Sequence, residues 1–388
     1  MRRGAEIVVI GGGVIGCSVA YHLARKGCSD VIILERESLG SGSTGRSAGG
    51  VRLQFSTEIN IRLSLLSVPR FENFHAEMGF DPQFRQVGYL ILATLPEEEK
   101  AFRENVTLQH VIGDIPVELL TPSGARALVP QLNLEDVLLA TYCPRDGYAD
   151  PHSVVQGYAQ RAREMGVEIR EGTEALGIQV ENGKVKGVFT DKGLIEASFV
   201  VNAAGPYAAS IGRMVGIEIP VLPYRRFIFV TEPFPELPDP LPMVIDFTTG
   251  FYFHRESGYA SGILMGMGDR KEGPSWSLEV DWEFLPTIVE RAIHRVPVLE
   301  KAQIKRGWAG LYEVTPDAHP ILGRVPEVEG LILANGFSGH GFMHSPAVGL
   351  LIAEEVLDGK ATTLDISPLG LQRFQEGSPP SRTEWAVI

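Results

Sequence analysis

The stretch from Glu6 to Arg36, EIVVIGGGVIGCSVAYHLARKGCSDVIILER, constrains this chain more than any other. Ile7 to Ile10 is a continuous β-branched run bounded by glycine, the pattern of a short strand buried on both faces. Gly11-Gly12-Gly13-Val14-Ile15-Gly16 follows as a G-x-G-x-x-G. Gly11 permits a tight turn, Gly13 lets a pyrophosphate approach the backbone, and Gly16 lets the next helix pack close to the strand. That helix, predicted from Val14 to Lys26, turns free N–H groups and its positive dipole end toward the phosphates. Val31 to Leu34 is the second strand. Glu35 ends it nineteen residues after Gly16, with Arg36 adjoining, where a carboxylate can accept hydrogen bonds from a ribose diol. Strand, glycines, helix, strand and acid stand in register, and together they predict binding of an adenine dinucleotide.

A Gly/Ser tract comes next, Leu39 to Arg52, holding Ser43, Thr44, Arg46, Ser47, Ala48 and Gly49. Tracts of this kind are often flexible surface loops. Its place one strand after the fingerprint, and its two arginines, favour a backbone lying against a flat cofactor, where bulk is excluded.

The rest of the chain predicts two lobes, and 388 residues suffice for both. Helices are expected at Glu58–Met78, Pro96–Val111, a capped turn from Thr121, Ser153–Met165, Phe284–Ile293 and about Pro346–Leu357. Strands are expected at Gly88–Ala93, Val167–Glu171, Ala175–Glu181, Val185–Thr190 and Leu194–Ala197, with Asn182-Gly183 as a hairpin turn, and Phe199 to Tyr207 reads as a further buried strand running into glycine and a new helix. Phe227–Thr231, Met243–Asp246, Gly250–His254 and Gly262–Met267 read as a separate antiparallel sheet. Ile304–Leu311 and Leu331–Ala334 return as strands. The predicted class is α/β: a Rossmann-like nucleotide lobe (residues 1–85, 145–219 and 305–375) with a mostly antiparallel β substrate lobe (86–144 and 220–304) inserted. Strand ends such as those holding Ala175, Ala203 and Gly205 should face the ligand. The tail, 376–388, reads as loosely ordered.

A net charge of −13 argues against a nucleic-acid partner or a polybasic membrane surface. Cys17, Cys28 and Cys143 have no zinc or redox spacing, so a buried hydrophobe is expected at Cys17 and a reducing, cytoplasmic setting overall. No apolar run reaches membrane-span length, the fingerprint begins too early for a signal peptide, and no residue group has metal-ligand spacing.

VVNAAGPYA, LYEVTPDAHPILG and ANGFSGHGFMHSPAVG follow the fingerprint and the tract in that order. On these motifs the chain resembles the D-amino acid oxidase-like flavoproteins, from about Glu6 to Leu357. It is most similar to the branch holding sarcosine oxidase, glycine oxidase and the β subunits of dye-linked L-proline dehydrogenase. The resemblance implies FAD between two lobes, and hydride transfer from a carbon next to nitrogen to flavin N5, the imine product then hydrolysing. It implies Arg52 as the substrate-carboxylate arginine, the competing reading being a surface pair with Glu58. Tyr312, and less directly Tyr252, would stand near the substrate. Gly310, Gly336, Ser338, Gly339, His340, Gly341, Phe342 and Met343 would border the flavin, with backbone N–H groups stabilising its reduced N1–C2=O edge. His340 is either catalytic or structural; His152 and His344 read as satisfied histidines.

Departures from the family shape the functional expectation. Gly310 stands where monomeric sarcosine oxidase has its flavin-linking cysteine, so FAD is expected to be non-covalent. Pro151 stands where a hetero-oligomeric β subunit has an FMN-holding histidine, and FMN is expected only within a hetero-oligomer. The lysine that activates oxygen has no counterpart in Ser261 to Gly268, where Leu264 or Met265 stands, and Met343 replaces a second carboxylate-binding lysine. The resulting expectation is a dehydrogenase of a proline- or sarcosine-like amine with an unidentified electron acceptor. The alternatives are a peroxide-forming oxidase, and a β subunit active only with an α subunit. A simple nicotinamide enzyme is disfavoured, because it would not need a third return to the nucleotide lobe.

Overall fold

In the computed structural model, which describes residues 2–256, 262–375 and 382–386, the β-branched run sits at the middle of a six-stranded sheet. The order is Ile321–Arg324, Leu331–Asn335, Phe199–Asn202, Ile7–Ile10, Val31–Leu34 and Glu168–Arg170. All neighbours are parallel except the Ile321–Arg324 edge, with Ile7 opposite both Phe199 and Val31. Alternate side chains serve opposite faces. Ile7, Val9, Val31 and Ile33 meet helices Val14–Arg25, Pro151–Glu164 and Gly341–Leu357. Val8, Ile10, Ile32 and Leu34 meet a three-stranded meander, Ala175–Glu181, Lys184–Thr190 and Gly193–Glu196. Its first hairpin turns on Asn182 and Gly183, both at positive φ, the geometry that this dipeptide favours.

The second sheet has eight strands, antiparallel except where Met243–Asp246 runs beside Tyr89–Ala93. Phe227, Phe229, Phe253 and Met265 pack one face against helix Leu285–Arg295, while Tyr89, Ile228, Met243, Ile245, Tyr252 and Leu264 line the other. Leu264 therefore stands on the inner face and Met265 on the back. Strand Ile304–Val314 pairs along Leu222–Thr231, so the chain leaves this sheet only after Val314 and not at the expected 305. Its alternating pattern announces a strand without saying which sheet it joins.

Three further expectations need correction. The helix expected over Glu58–Met78 breaks at Asn73 into Glu58–Glu72 and Phe74–Met78, Pro69 lying within the first. Proline removes a backbone donor and weakens the turn it ends. The last helix starts at Gly341 and carries Pro346 inside it. The tail is not loose throughout: Arg382–Ala386 docks on the body, whereas 376–381 and 387–388, like Ser261, lie outside the described residues. No helix among the described residues is long and apolar enough to cross a membrane.

Candidate active site

Two adjoining cavities, of about 1290 and 1070 Å3, follow from this arrangement, and they share Val14, Ile15, Ser43, Thr44, Arg46, Leu311 and Glu313. The first runs over the sheet's carboxyl ends. It is lined by Gly11, Gly13, Glu35, Arg36, Ala175, Ala203 and Gly205. Glu35 orients the glycine turn by accepting from Gly12 N at 2.8 Å, and from Glu37 N at 2.8 Å. Gly16 lines neither cavity: a Cβ there would sit 1.9 Å from the Gly11 carbonyl oxygen, so it serves helix–strand contact. A Cβ on Gly13 would meet only Thr44 Oγ1, at 3.3 Å, so its missing side chain leaves cavity space and not packing space.

The second cavity lies between the sheets. Ser47, Ala48, Gly49, Gly310, Ser338, Gly339, His340, Gly341, Phe342 and Met343 border it, as do Arg52, Tyr252 and Tyr312. Gly336 does not; its N–H binds the Glu313 carboxylate at 3.0 Å and shapes the turn before Ser338. A Cβ on Gly339, whose φ is +95°, would lie 2.4 Å from the Tyr312 ring, so that glycine lets the tyrosine lie against the turn. Helix Gly341–Leu357 aims its N-terminus here, with first-turn N–H groups that have no partner within the helix.

Arg52 is buried, at 3% exposure, and the surface pair with Glu58 does not form, since Glu58 binds Arg62. Its guanidinium covers the Phe55 ring at 4.1 Å, donates to the carbonyls of Gln54 and Ala386, and lies 3.2 Å from His340 Nε2. Burial, then Arg52, hold the His340 imidazole well below its usual pKa, so it is neutral and accepts from Arg52. That geometry suits a residue that orients the arginine. His344 is likewise buried and neutral, on Ser64 Oγ at 3.0 Å, whereas His152 is exposed. Burial also raises the phenols of Tyr252, Tyr312 and Tyr89, leaving neutral donors.

Several residues here carry no sequence motif. Asp146 fixes the Arg52 loop from beneath, accepting from Leu53 N at 2.7 Å and Gln54 Nε2 at 2.9 Å. Glu384, in the tail, accepts from Ser56, from Thr57 Oγ1 at 2.6 Å and from Asn60 Nδ2 at 3.1 Å, at the start of helix Glu58–Glu72. Trp385 packs on Phe102 and Phe247 of the other lobe. Five tail residues thus tie both lobes together behind Arg52. Burial opposes the Glu384 charge, but these bonds and Arg52 bring its pKa below the usual value. Glu384→Gln is expected to cost roughly 2–3 kcal/mol of stability, read as a lower denaturation midpoint.

Acid should destabilise the fold. Burial holds His22 at about 3, His254 at about 4, His344 at about 3 and His340 well below its ordinary value. The stability of such neutral histidines is present above pH 6.5 and is lost as pH falls. Burial lifts Asp146 and Glu313 to about 7, and their opposite contribution is lost as pH rises toward that value. Four groups outweigh two, giving a net loss of about 2 kcal/mol per pH unit roughly from pH 6 to 5. A Tm that stays flat or rises between neutral pH and about pH 5 would contradict this assignment.

The residues present fit a flavin dinucleotide. Arg46 Nε and Ser47 Oγ are buried at the junction with no hydrogen-bond partner among the described residues, and the Gly11–Gly13 turn is open toward the first cavity. The fold and paired cavities are those of a dinucleotide-binding protein with a second, arginine-bordered pocket beside the nucleotide cleft. Residues 6–355 match the family described as DAO, FAD dependent oxidoreductase, and the chain belongs to it. Its cofactor is FAD, and it is an oxidoreductase of the amino acid and amine kind. Among curated relatives, FAD-dependent oxidoreductase domain-containing protein 1 of Xenopus laevis is 34% identical over 97% of this chain and 83% of its own length. Human mitochondrial sarcosine dehydrogenase is 31% identical over 95% of this chain, which spans 41% of that protein. Among solved structures, L-proline dehydrogenase from P. horikoshii superposes with a TM-score of 0.92 at 38% identity, covering 98% of this chain and all of its own. Glycine oxidase from Geobacillus kaustophilus gives 0.85 at 28%, covering 96% and all of its own.

Proposed function

We propose that this protein is an FAD-dependent dehydrogenase of a small amino acid or secondary amine, proline- or sarcosine-like, with FAD held non-covalently. The observation carrying this reading is the second cavity itself. An apolar floor of Ile228, Met243 and Ile245 is set beside guanidiniums and neutral phenols, with no lysine among the described lining residues. Bound there, FAD supplies the acceptor for a hydride from the carbon next to nitrogen. The chain's own task is positioning. Arginine holds the substrate carboxylate as a fork that cannot lose its charge. Tyr252 and Tyr312, kept neutral by burial, bind without taking a proton, so the amine must arrive unprotonated. The N-terminus of helix Gly341–Leu357 favours negative charge at the cavity edge.

The activities of two relatives, L-proline dehydrogenase and sarcosine dehydrogenase, support a dehydrogenase with this kind of substrate. Gly310, whose Cβ position lies 3.1 Å from Arg46 Cβ, offers no thiol for a flavin link. Three unpaired cysteines favour a reducing compartment. Denaturing the purified protein should release free FAD. Turnover of proline or sarcosine should reduce an artificial dye rapidly and yield little peroxide. Fast peroxide formation with oxygen as sole acceptor would make it an oxidase. Activity that appears only after an α subunit is added would make it a partner-dependent β subunit.

A further inference from the structure

Several of the buried and half-buried arginines of this chain pair with carboxylates. Arg295 pairs with Asp246 at 2.7 Å, Arg373 with Asp317 at 2.8 Å, Arg170 with Glu168 at 2.8 Å and Arg225 with Glu272 at 2.6 Å. Arg46, Arg52 and Arg226 have no carboxylate within salt-bridge distance among the described residues, and all three line the second cavity. Arg52 is buried and Arg46 and Arg226 are half-buried, and a guanidinium even partly withdrawn from water is stabilised by a counter-charge, so the three give this cavity an anion-attracting wall. Arg46 also borders the first cavity, where the cofactor's pyrophosphate supplies charge. Arg52 and Arg226 border only the second.

These two differ in what remains free. Arg52 already spends three of its five N–H donors, on Gln54, Ala386 and His340. Arg226 makes one hydrogen bond, Nη1 to the carbonyl of Arg225 at 2.8 Å, leaving most of its five N–H donors without a protein acceptor among the described residues. Its strand position shares a face with Ile228, toward the cavity, while Phe227 and Phe229 face the outer core. Gly268 makes room: a Cβ there would lie 2.6 Å from Arg226 Cδ. Gly266, two residues earlier, similarly admits Tyr252, whose ring carbon would lie 2.1 Å from a Cβ. The Arg226 guanidinium rests 4.9 Å from the Tyr312 ring centre, and the Tyr312 phenol feels Arg226 and then Arg52 as its charged neighbours.

We propose that Arg226 is a second anion anchor and that the physiological substrate is an amine carrying two carboxylates. Arg226 takes one through its free fork, and the Arg52 side of the pocket receives the other. This deepens the amine-dehydrogenase reading and rests on it. A monocarboxylate leaves one of the two guanidiniums without a counter-charge. A diacid satisfies both, holding the C–H and nitrogen between them over the apolar floor.

The test uses the FAD-loaded enzyme under anaerobic conditions, comparing iminodiacetate, the simplest amine with two carboxylates, with sarcosine, which has one. The expected kcat/KM for flavin reduction is at least about tenfold higher for the diacid. Arg226→Gln should lower the diacid-to-monoacid ratio by about 30-fold, and Arg226→Lys should restore part of it. A wild-type preference for sarcosine, or a ratio unchanged by Arg226→Gln, overturns the proposal while leaving the amine-oxidising reading intact. If no amine reduces the flavin, that reading fails, and a binding readout still decides the anchor. Pyridine-2,6-dicarboxylate should then perturb the flavin spectrum at lower concentration than pyridine-2-carboxylate, and Arg226→Gln should abolish the difference. Equal affinities in wild type overturn the second anchor.

Discussion

Arg52→Met is expected to lower kcat/KM for flavin reduction by roughly 10²- to 10³-fold while the protein keeps its flavin. The side chain is buried, is stacked on Phe55 and is oriented by three acceptors, the nearby Gln54 carbonyl and the distant His340 and Ala386. Methionine preserves volume but leaves those carbonyls and any incoming carboxylate without a donor. Each buried unsatisfied acceptor costs about 1–3 kcal/mol, so a lower Tm should accompany the kinetic loss. Arg52→Lys should recover little, because an ammonium cannot reach divergent partners in the plane that a guanidinium fork spans. Equal kcat/KM in Arg52→Lys and wild type would remove Arg52 from the substrate site.

Gly13→Val is expected to give a folded protein without flavin. The residue has an ordinary extended φ of −77°, and a Cβ would approach only Thr44 Oγ1, so nothing in the protein resists the substitution. The side chain would instead fill the space where a pyrophosphate meets the turn. Gly16→Val makes the contrast, since its Cβ would collide with the Gly11 carbonyl oxygen and Val9, so it should lose stability as well as flavin. Matched far-UV spectra and Tm for Gly13→Val, together with a colourless preparation, would bear this out. A yellow Gly13→Val with wild-type FAD affinity would mean that the cofactor lies elsewhere.

Much of this architecture was legible because the nucleotide half is written in short-range patterns. A β-branched run, three glycines and an acid at fixed spacing specify a strand, a turn and a ribose contact within thirty residues. The inner sheet face was only partly legible. Alternation marks the strands, but Leu264 and Met265 exchange faces with a one-residue shift, and pairing alone decides which shares the inner face with Ile228 and Tyr252. Arg226 went unnoticed because Arg225 and Arg226 are chemically equal in sequence. Only the sheet face separates one bound to Glu272 from one aimed at the pocket. The Gly/Ser tract, by contrast, carried its meaning in composition: small residues and two arginines one strand after the nucleotide fingerprint. Asp146 and Glu384 support the Arg52 loop from 93 and 328 residues away in hydrogen bonds to Leu53 and Ser56, distances over which no local pattern carries information.

The central claim is that the cavity between the sheets delivers a hydride from an amine's neighbouring carbon to FAD. The most direct measurement is anaerobic stopped-flow bleaching of the purified flavoprotein by candidate amines, each with hydrogen and with deuterium on that carbon. The account expects bleaching within a catalytic turnover by at least one carboxylate-bearing amine, slowed several-fold by deuterium and lost in Arg52→Met. Absence of bleaching by any amine, or a rate indifferent to deuterium and to Arg52, would contradict it.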